Sequence, residues 1–166
     1  MGRPRGFDED QVIRAAVVLF SHRAYDSVSV DDLVEHVGVH RNSLYKTFGS
    51  KRGLYLAALR RSFSEDVAPL ADAAGAADSA AEAVDLLVHT PPDAVGLDLL
   101  LLAAVERASA DAEVATEVGN ALARIEAALA RVAPDRAAHL ADAALGGRLR
   151  ARLPGRRLSP EAPHHS

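Results

Sequence analysis

Residues 29–48, SVDDLVEHVGVHRNSLYKTF, hold the pattern about which the rest of the chain is arranged. Ser29 is a good helix N-cap, and Asp32 three residues on can return a hydrogen bond to the cap's own N–H. Leu33, Val34 and Val37 form one apolar stripe at helical spacing, and Val39 and Leu44 supply another beyond a turn. Gly38 stands where the first helix must stop, since glycine takes the positive φ of such a turn without steric cost. The second helix is short and polar. His40, Arg41, Asn42, Ser43 and Lys46, with Tyr45 and Thr47 among them, are hydrogen-bonding or cationic. Arg, Asn and Ser can read base edges in a major groove, while Lys and Tyr hold phosphates. The stretch therefore predicts a helix-turn-helix whose recognition helix is His40 to Lys46. Two helices and a glycine turn also occur in proteins that bind no DNA, so the neighbouring sequence has to decide.

The neighbouring sequence is YKTFGSKRGLY, residues 45–55. Gly38-Val39, a polar helix, Ser43-Leu44-Tyr45, Phe48, Gly49-Ser50-Lys51 and Leu54-Tyr55 resemble the hallmark of the tetracycline-repressor (TetR) family of transcriptional regulators. Upstream, an apolar first helix ending in Leu19-Phe20, then Tyr25 and Val28-Ser29-Val30, is similar to the same family. The resemblance spans about residues 7–59 of the chain. Two departures stand out: Val34 where alanine is usual, and Arg52-Gly53 where glutamate often follows the lysine. The resemblance implies an all-α fold, with an N-terminal three-helix helix-turn-helix domain and a C-terminal helical ligand-binding and dimerisation domain. The expected boundaries are 1–48 for the arm and DNA-binding domain, 49–153 for the regulatory domain and 154–166 for a disordered tail.

In chain order, Arg3-Pro4-Arg5 is a short basic arm, able to touch DNA or simply to be a solvated terminus. A helix is expected from Asp8 to His22, with an acidic first turn suited to the helix dipole. Tyr25 is expected to pack against the second helix. Ser50 caps a fourth helix whose first turn holds Lys51 and Arg52, an unfavourable place for cations unless an anion lies there. A DNA phosphate would answer that need. This helix should continue past Asp66 to near Gly75. Asp78 or Ser79 caps a further helix ended by Thr90-Pro91-Pro92, and Pro91 or Pro92 with Asp93 opens the next.

The segment Leu97 to Val105 is apolar nearly all round, and so is expected at the centre of a core. From Ser109 or Asp111, the residues Val114, Val118, Leu122, Ile125, Leu129 and Val132 make one helical stripe. After Pro134, Ala137, Leu140, Ala141, Ala144 and Leu145 make a matching face. These two helices resemble the pair that builds the family's dimer, which names Leu122, Ile125, Leu129, Leu140, Ala144 and Leu145 as interface candidates. An intramolecular hairpin is the other reading. From Gly146-Gly147 the chain becomes basic and proline-rich with little periodicity. Arg148, Arg150, Arg152, Arg156 and Arg157 could touch nucleic acid there, but the first reading is a solvated, disordered extension. His164-His165 receives no role.

Composition narrows the function classes. The 166 residues suit one compact unit or two small joined domains, and 49 % are apolar, enough for a useful core. There is no cysteine, which excludes a disulfide scaffold and any cysteine-based metal site and fits a reducing compartment. No signal peptide or membrane-length apolar run is evident, so a cytoplasmic protein with no membrane partner is expected. The net charge of −4 conceals a division: residues 1–61 hold 10 Lys and Arg against 7 Asp and Glu, and 62–166 hold 9 against 16. Local patches, not net charge, govern phosphate binding. No cysteine nucleophile, phosphate-cradling glycine loop or His-Glu-x-x-His motif appears, so neither an enzyme, a cofactor nor a metal site is expected.

The DNA-binding candidates are Arg3, Arg5, Ser29, His40, Arg41, Asn42, Ser43, Tyr45, Lys46, Lys51 and Arg52. The expected partners are a double-stranded DNA operator, a second copy of the chain as a homodimer, and a small-molecule effector. For that effector His89, Leu97, Leu101, Val105 and Glu106 are the pocket candidates. The implied function is a repressor released from a palindromic operator by its effector. The alternative is a dimeric helical binding or scaffolding protein without sequence-specific DNA binding.

Overall fold

The computed structural model describes residues 8–91 and 94–152. The Arg3-Pro4-Arg5 arm, Pro92, Asp93 and the 154–166 tail with Arg156, Arg157 and the histidine pair lie outside the described residues.

Helix α1 (Glu9–His22) begins where Asp8 Oδ1 accepts the backbone N–H groups of Asp10 and Gln11, at 3.1 and 3.3 Å. It buries Val12, Ala16, Val17, Leu19 and Phe20. A 3₁₀ turn (Tyr25–Ser27) leads to α2 (Val30–Val37), the left-handed Gly38 and α3 (Arg41–Phe48). Helix α4 (Lys51–Ser62) passes through a π turn (Phe63–Val67) straight into α5 (Ala68–Gly75), so the expected long fourth helix is one rod with a widened turn inside it. The widening has a local cause. Pro69 cannot donate to the ladder, and in a regular α-helix its ring would strike the carbonyl four residues back; the π turn just before it opens that space.

Helix α6 (Ala80–Val88) is capped by Ser79, whose Oγ accepts from Glu82 N–H. Helix α7 (Gly96–Glu106) buries Leu97, Leu99, Leu100, Leu101 and Ala103. It packs against α1, α4 and the π turn as well as α8, and so joins the two ends of the molecule. Helix α8 (Ala112–Val132) starts at the Asp111 cap, and a 3₁₀ turn (Pro134–Arg136) turns the chain into α9 (Ala137–Ala151). The pairs α5–α8, α6–α9, α8–α9 and α5–α6 form the C-terminal bundle.

Two sequence expectations are corrected by this packing. Ile125, Leu129, Leu140 and Ala144, taken as dimer-interface candidates, are at most 8 % exposed within the single chain. Leu122 and Leu145 are half-buried and packed on the same core. The stripe is consumed by α5, α6 and the α8–α9 contact, the intramolecular reading of the pattern. The second correction concerns the C-terminus: α9 runs through Gly146-Gly147 to Ala151. A Cβ on Gly147 would lie 2.8 Å from Val88 Cγ2, so the glycine is set by close approach to α6. Arg148, far from being a solvated residue, makes a two-pronged pair with Asp98 at 2.8 and 3.1 Å and donates to Val88 O. Arg152 donates to Ser21 O at 2.9 Å and pairs with Asp98. Among the described residues no helix is long and apolar enough to cross a membrane.

Candidate nucleic-acid interface

The helix-turn-helix is built from its caps. Ser29 Oγ accepts from Asp32 N–H at 3.0 Å, while an Asp32 carboxylate oxygen accepts from Ser29 N–H at 2.7 Å, closing the capping box. Asp32 also receives Arg23. The Ser29 hydroxyl, then the Ser29 backbone, and then Arg23 hold its carboxyl down at about 2. The Ser29 hydroxyl is thereby occupied in starting α2, although the residue itself is exposed. Gly38 sits at φ 71°, its N–H bonded to Val34 O at 3.0 Å, and reverses the chain. Helix α3 is then pinned from beneath by Leu44, which is 0 % exposed.

With Leu44 inward, His40, Arg41, Asn42, Tyr45, Lys46 and Thr47 are all exposed, and Ser43 is half-buried. His40 is the N-cap of α3 without a side-chain cap bond. Arg41 donates to Asp31 at 2.6 Å, but both side chains are open to solvent. Such a surface pair is weak and exchangeable for another anion. The helix therefore offers a cation, an amide, a phenol and an ammonium on one outward surface.

Lys51 and Arg52, expected to meet phosphate, have protein partners. Lys51 Nζ donates to Tyr25 O at 2.9 Å and Val28 O at 2.8 Å and lies 4.1 Å from the centre of the Tyr25 ring. Tyr25 itself packs on Phe20 and Tyr55, on α1 and α4 and not chiefly on α2 as expected. Arg107 covers its ring at 4.6 Å. Arg52 makes a two-pronged pair with Asp111 at 2.6 and 2.8 Å and reaches Glu113 at 3.0 Å. The cations that crowd the start of α4 are thus answered from within: Lys51 by carbonyls of the 3₁₀ segment, Arg52 by the cap of α8. Arg52 lowers Asp111 to about 2. Gly53, the departure at the same place, is also explained. A Cβ there would lie 1.9 Å from Phe48 O, so the tight entry into α4 admits only glycine.

The effector-pocket candidates are not brought together. Val105 is 76 % exposed, while Leu97 and Leu101 are core. His89 caps the end of α6 in the open, paired with Asp85. Glu106 accepts the Tyr25 backbone N–H at 3.1 Å, joining α7 to the 3₁₀ turn. An all-round apolar helix fills its surroundings with its own side chains, which is why the apolar run marks a core and not a cavity. Glu106, Arg107 and Asp111 are the partners that sequence reasoning missed. They stand 59 to 82 residues from the groups they meet, and no local signal marks such pairs.

Comparison with known proteins agrees with the geometry. Residues 12–58 match the profile of the bacterial regulatory proteins, tetR family. The chain is 44 % identical over 71 residues to the HTH-type transcriptional repressor BdcR of Escherichia coli, covering 43 % of this chain and 36 % of that protein. It is 38 % identical over 47 residues to IcaR of Staphylococcus aureus, the negative transcriptional regulator of a biofilm operon, covering 28 % of this chain and 25 % of that protein. These matches span well under half of either relative. Over the whole fold, the chain superposes on the TetR-family regulator CifR, solved with a 26 bp operator duplex, with TM-score 0.64 at 23 % identity, covering 90 % of this chain and 89 % of CifR. PfmR of Thermus thermophilus superposes with TM-score 0.58 at 19 % identity, covering 86 % and 80 %. The structural likenesses show the fold; the sequence match falls on the capped turn and exposed helix just described, and it assigns residues 12–58 to the N-terminal region of the bacterial regulatory proteins, tetR family.

Proposed function

We propose that the chain is a DNA-binding transcriptional regulator, a repressor that leaves a palindromic operator when a small molecule binds. The observation that carries this reading is α3: a polar helix held by one buried leucine, with Arg41, Asn42, Tyr45 and Lys46 outward, inside the region that matches the family. Arg41 and Asn42 take the role of base readers and Tyr45 and Lys46 that of phosphate contacts. A palindrome requires two such helices about 34 Å apart, hence a homodimer. The face left for it is the outward side of α8 and α9, where Gly119, Ala123 and Ala127 are exposed at four-residue spacing. The N-terminal helices as far as Phe48 form the DNA-binding part and the rest the regulatory part, and such a regulator works in the cytoplasm beside its DNA.

The test is duplex binding with an inverted repeat taken from the chain's own upstream region. Arg41→Ala should weaken the specific duplex about tenfold or more, the scale of one lost base contact, and a scrambled duplex far less. Equal losses on both duplexes would remove the readout role.

A further inference from the structure

A cavity of about 210 Å³ opens between α1 and the start of the π turn, where α7 joins them. Its apolar wall is Val17 from α1 and Val95 from the entry to α7, and Val18, 46 % exposed, stands at its mouth. Ser62 lines it, and this hydroxyl is unusual: the residue is 1 % exposed, yet its Oγ has no hydrogen-bond partner among the described residues. A buried unpaired hydroxyl is costly, roughly 1–3 kcal/mol by mutational measures, and asks for an explanation. The backbone is shaped around it. A Cβ at Gly96 would come within 2.7 Å of Ser62 Oγ, so glycine is what lets α7 lie so close. The π turn begins at the next residue, Phe63, and such turns often mark functional sites.

Asp66 also lines the cavity, its Oδ2 as near to Gly96 as Ser62 Oγ is, and the charged groups around the mouth are engaged with partners. Asp10 pairs with both Arg14 and Arg61, and Arg61 also with Glu65. A charged ligand would have to displace one of these partners, whereas a neutral one would not. Its volume suits a single ring, or an aliphatic chain of similar bulk, with one short polar arm. From the volume, the apolar wall and the orphan hydroxyl, we infer that this cavity binds a small neutral molecule bearing a hydroxyl or carbonyl oxygen, which Ser62 hydrogen-bonds. Because α1 belongs to the helix-turn-helix end and α7 to the bundle, occupancy would bear on the joint between them. That consequence rests on the regulator reading, but the site itself does not.

The experiment is isothermal titration of the full chain, without DNA, using benzyl alcohol as the probe and toluene and benzoate for comparison. Saturable binding is expected for benzyl alcohol, with toluene and benzoate weaker. Ser62→Ala should weaken benzyl alcohol about fivefold to tenfold, the value of one neutral hydrogen bond. Val18→Trp, a surface-tolerant change that blocks the mouth, should abolish binding with the thermal midpoint unchanged. No saturable binding, toluene binding as well as the alcohol, or both variants binding like the unaltered chain would each overturn the inference. Duplex binding measured on the same samples separates the two claims. Intact duplex binding without probe binding sinks only the cavity, and probe binding without duplex binding sinks only the regulator.

Discussion

Replacing Lys51 by alanine distinguishes an internal staple from a phosphate contact. In the structure Lys51 Nζ makes two hydrogen bonds, to Tyr25 O and Val28 O, and a cation–π contact with the Tyr25 ring. Hydrogen bonds from a charged donor contribute about 1.5–3 kcal/mol each, and the ring contact about 0.5–1 kcal/mol. The ammonium is only part-buried and water can re-solvate the carbonyls, so about half of that sum survives, roughly 2–3 kcal/mol. For a chain of this size each kcal/mol moves the midpoint by about 2–4 °C, giving a fall of about 5–10 °C. The assay is thermal unfolding followed by circular dichroism, with the salt dependence of duplex binding measured well below the transition. A phosphate contact contributes about 0.9 to the slope of log K against log salt. With its charge spent on carbonyls, Lys51→Ala should leave that slope nearly unchanged, while Lys46→Ala, on the exposed face of α3, should reduce it by about 0.9. An unchanged midpoint together with a slope smaller by about one would refute the staple and restore the phosphate role.

The other predictions concern the turn, acid and the bundle. Gly38→Ala should cost about 1–2 kcal/mol in urea unfolding, because φ is 71° there but the space around it is open. Gly53→Ala should cost more, since its Cβ would meet Phe48 O at 1.9 Å. Asp32 and Asp111 are held at about 2, chiefly by Ser29 and by Arg52 respectively, below the unfolded carboxylate value. Their stabilisation is therefore complete above about pH 4 and lost as pH falls toward about 2. Urea midpoints against pH should show that loss, and less of it in Asp111→Asn. Leu129→Ala should destabilise folding by about 2–5 kcal/mol independently of protein concentration, as a core residue does, whereas Val105→Ala should stay within about 0.5 kcal/mol. A concentration-dependent effect at Leu129 would return it to a dimer interface.

Local chemistry was readable from the chain alone. The Ser29–Asp32 box, the glycine stop at residue 38, the Ser50 and Asp111 caps and the outward polar set of α3 all follow from interactions between residues within a turn of one another. Such signals survive without knowledge of the fold because both partners lie on the same short segment. The apolar stripes were also legible as faces that must be buried.

What covers a face is another matter, and there tertiary structure alone decided. Periodicity says that Ile125 and Leu129 seek an apolar partner; it does not say whether that partner is α5 of the same chain or α8 of another, because the same free energy of burial is gained either way. The same holds for charge. Lys51 and Arg52 read as cations in want of an anion, and only the fold brings Asp111 and the Tyr25 and Val28 carbonyls to them. Nor does any local pattern announce the cavity beside Ser62. It lies where Gly96 lets α7 settle against the π turn before Pro69, two segments far enough apart in the chain that only packing relates them.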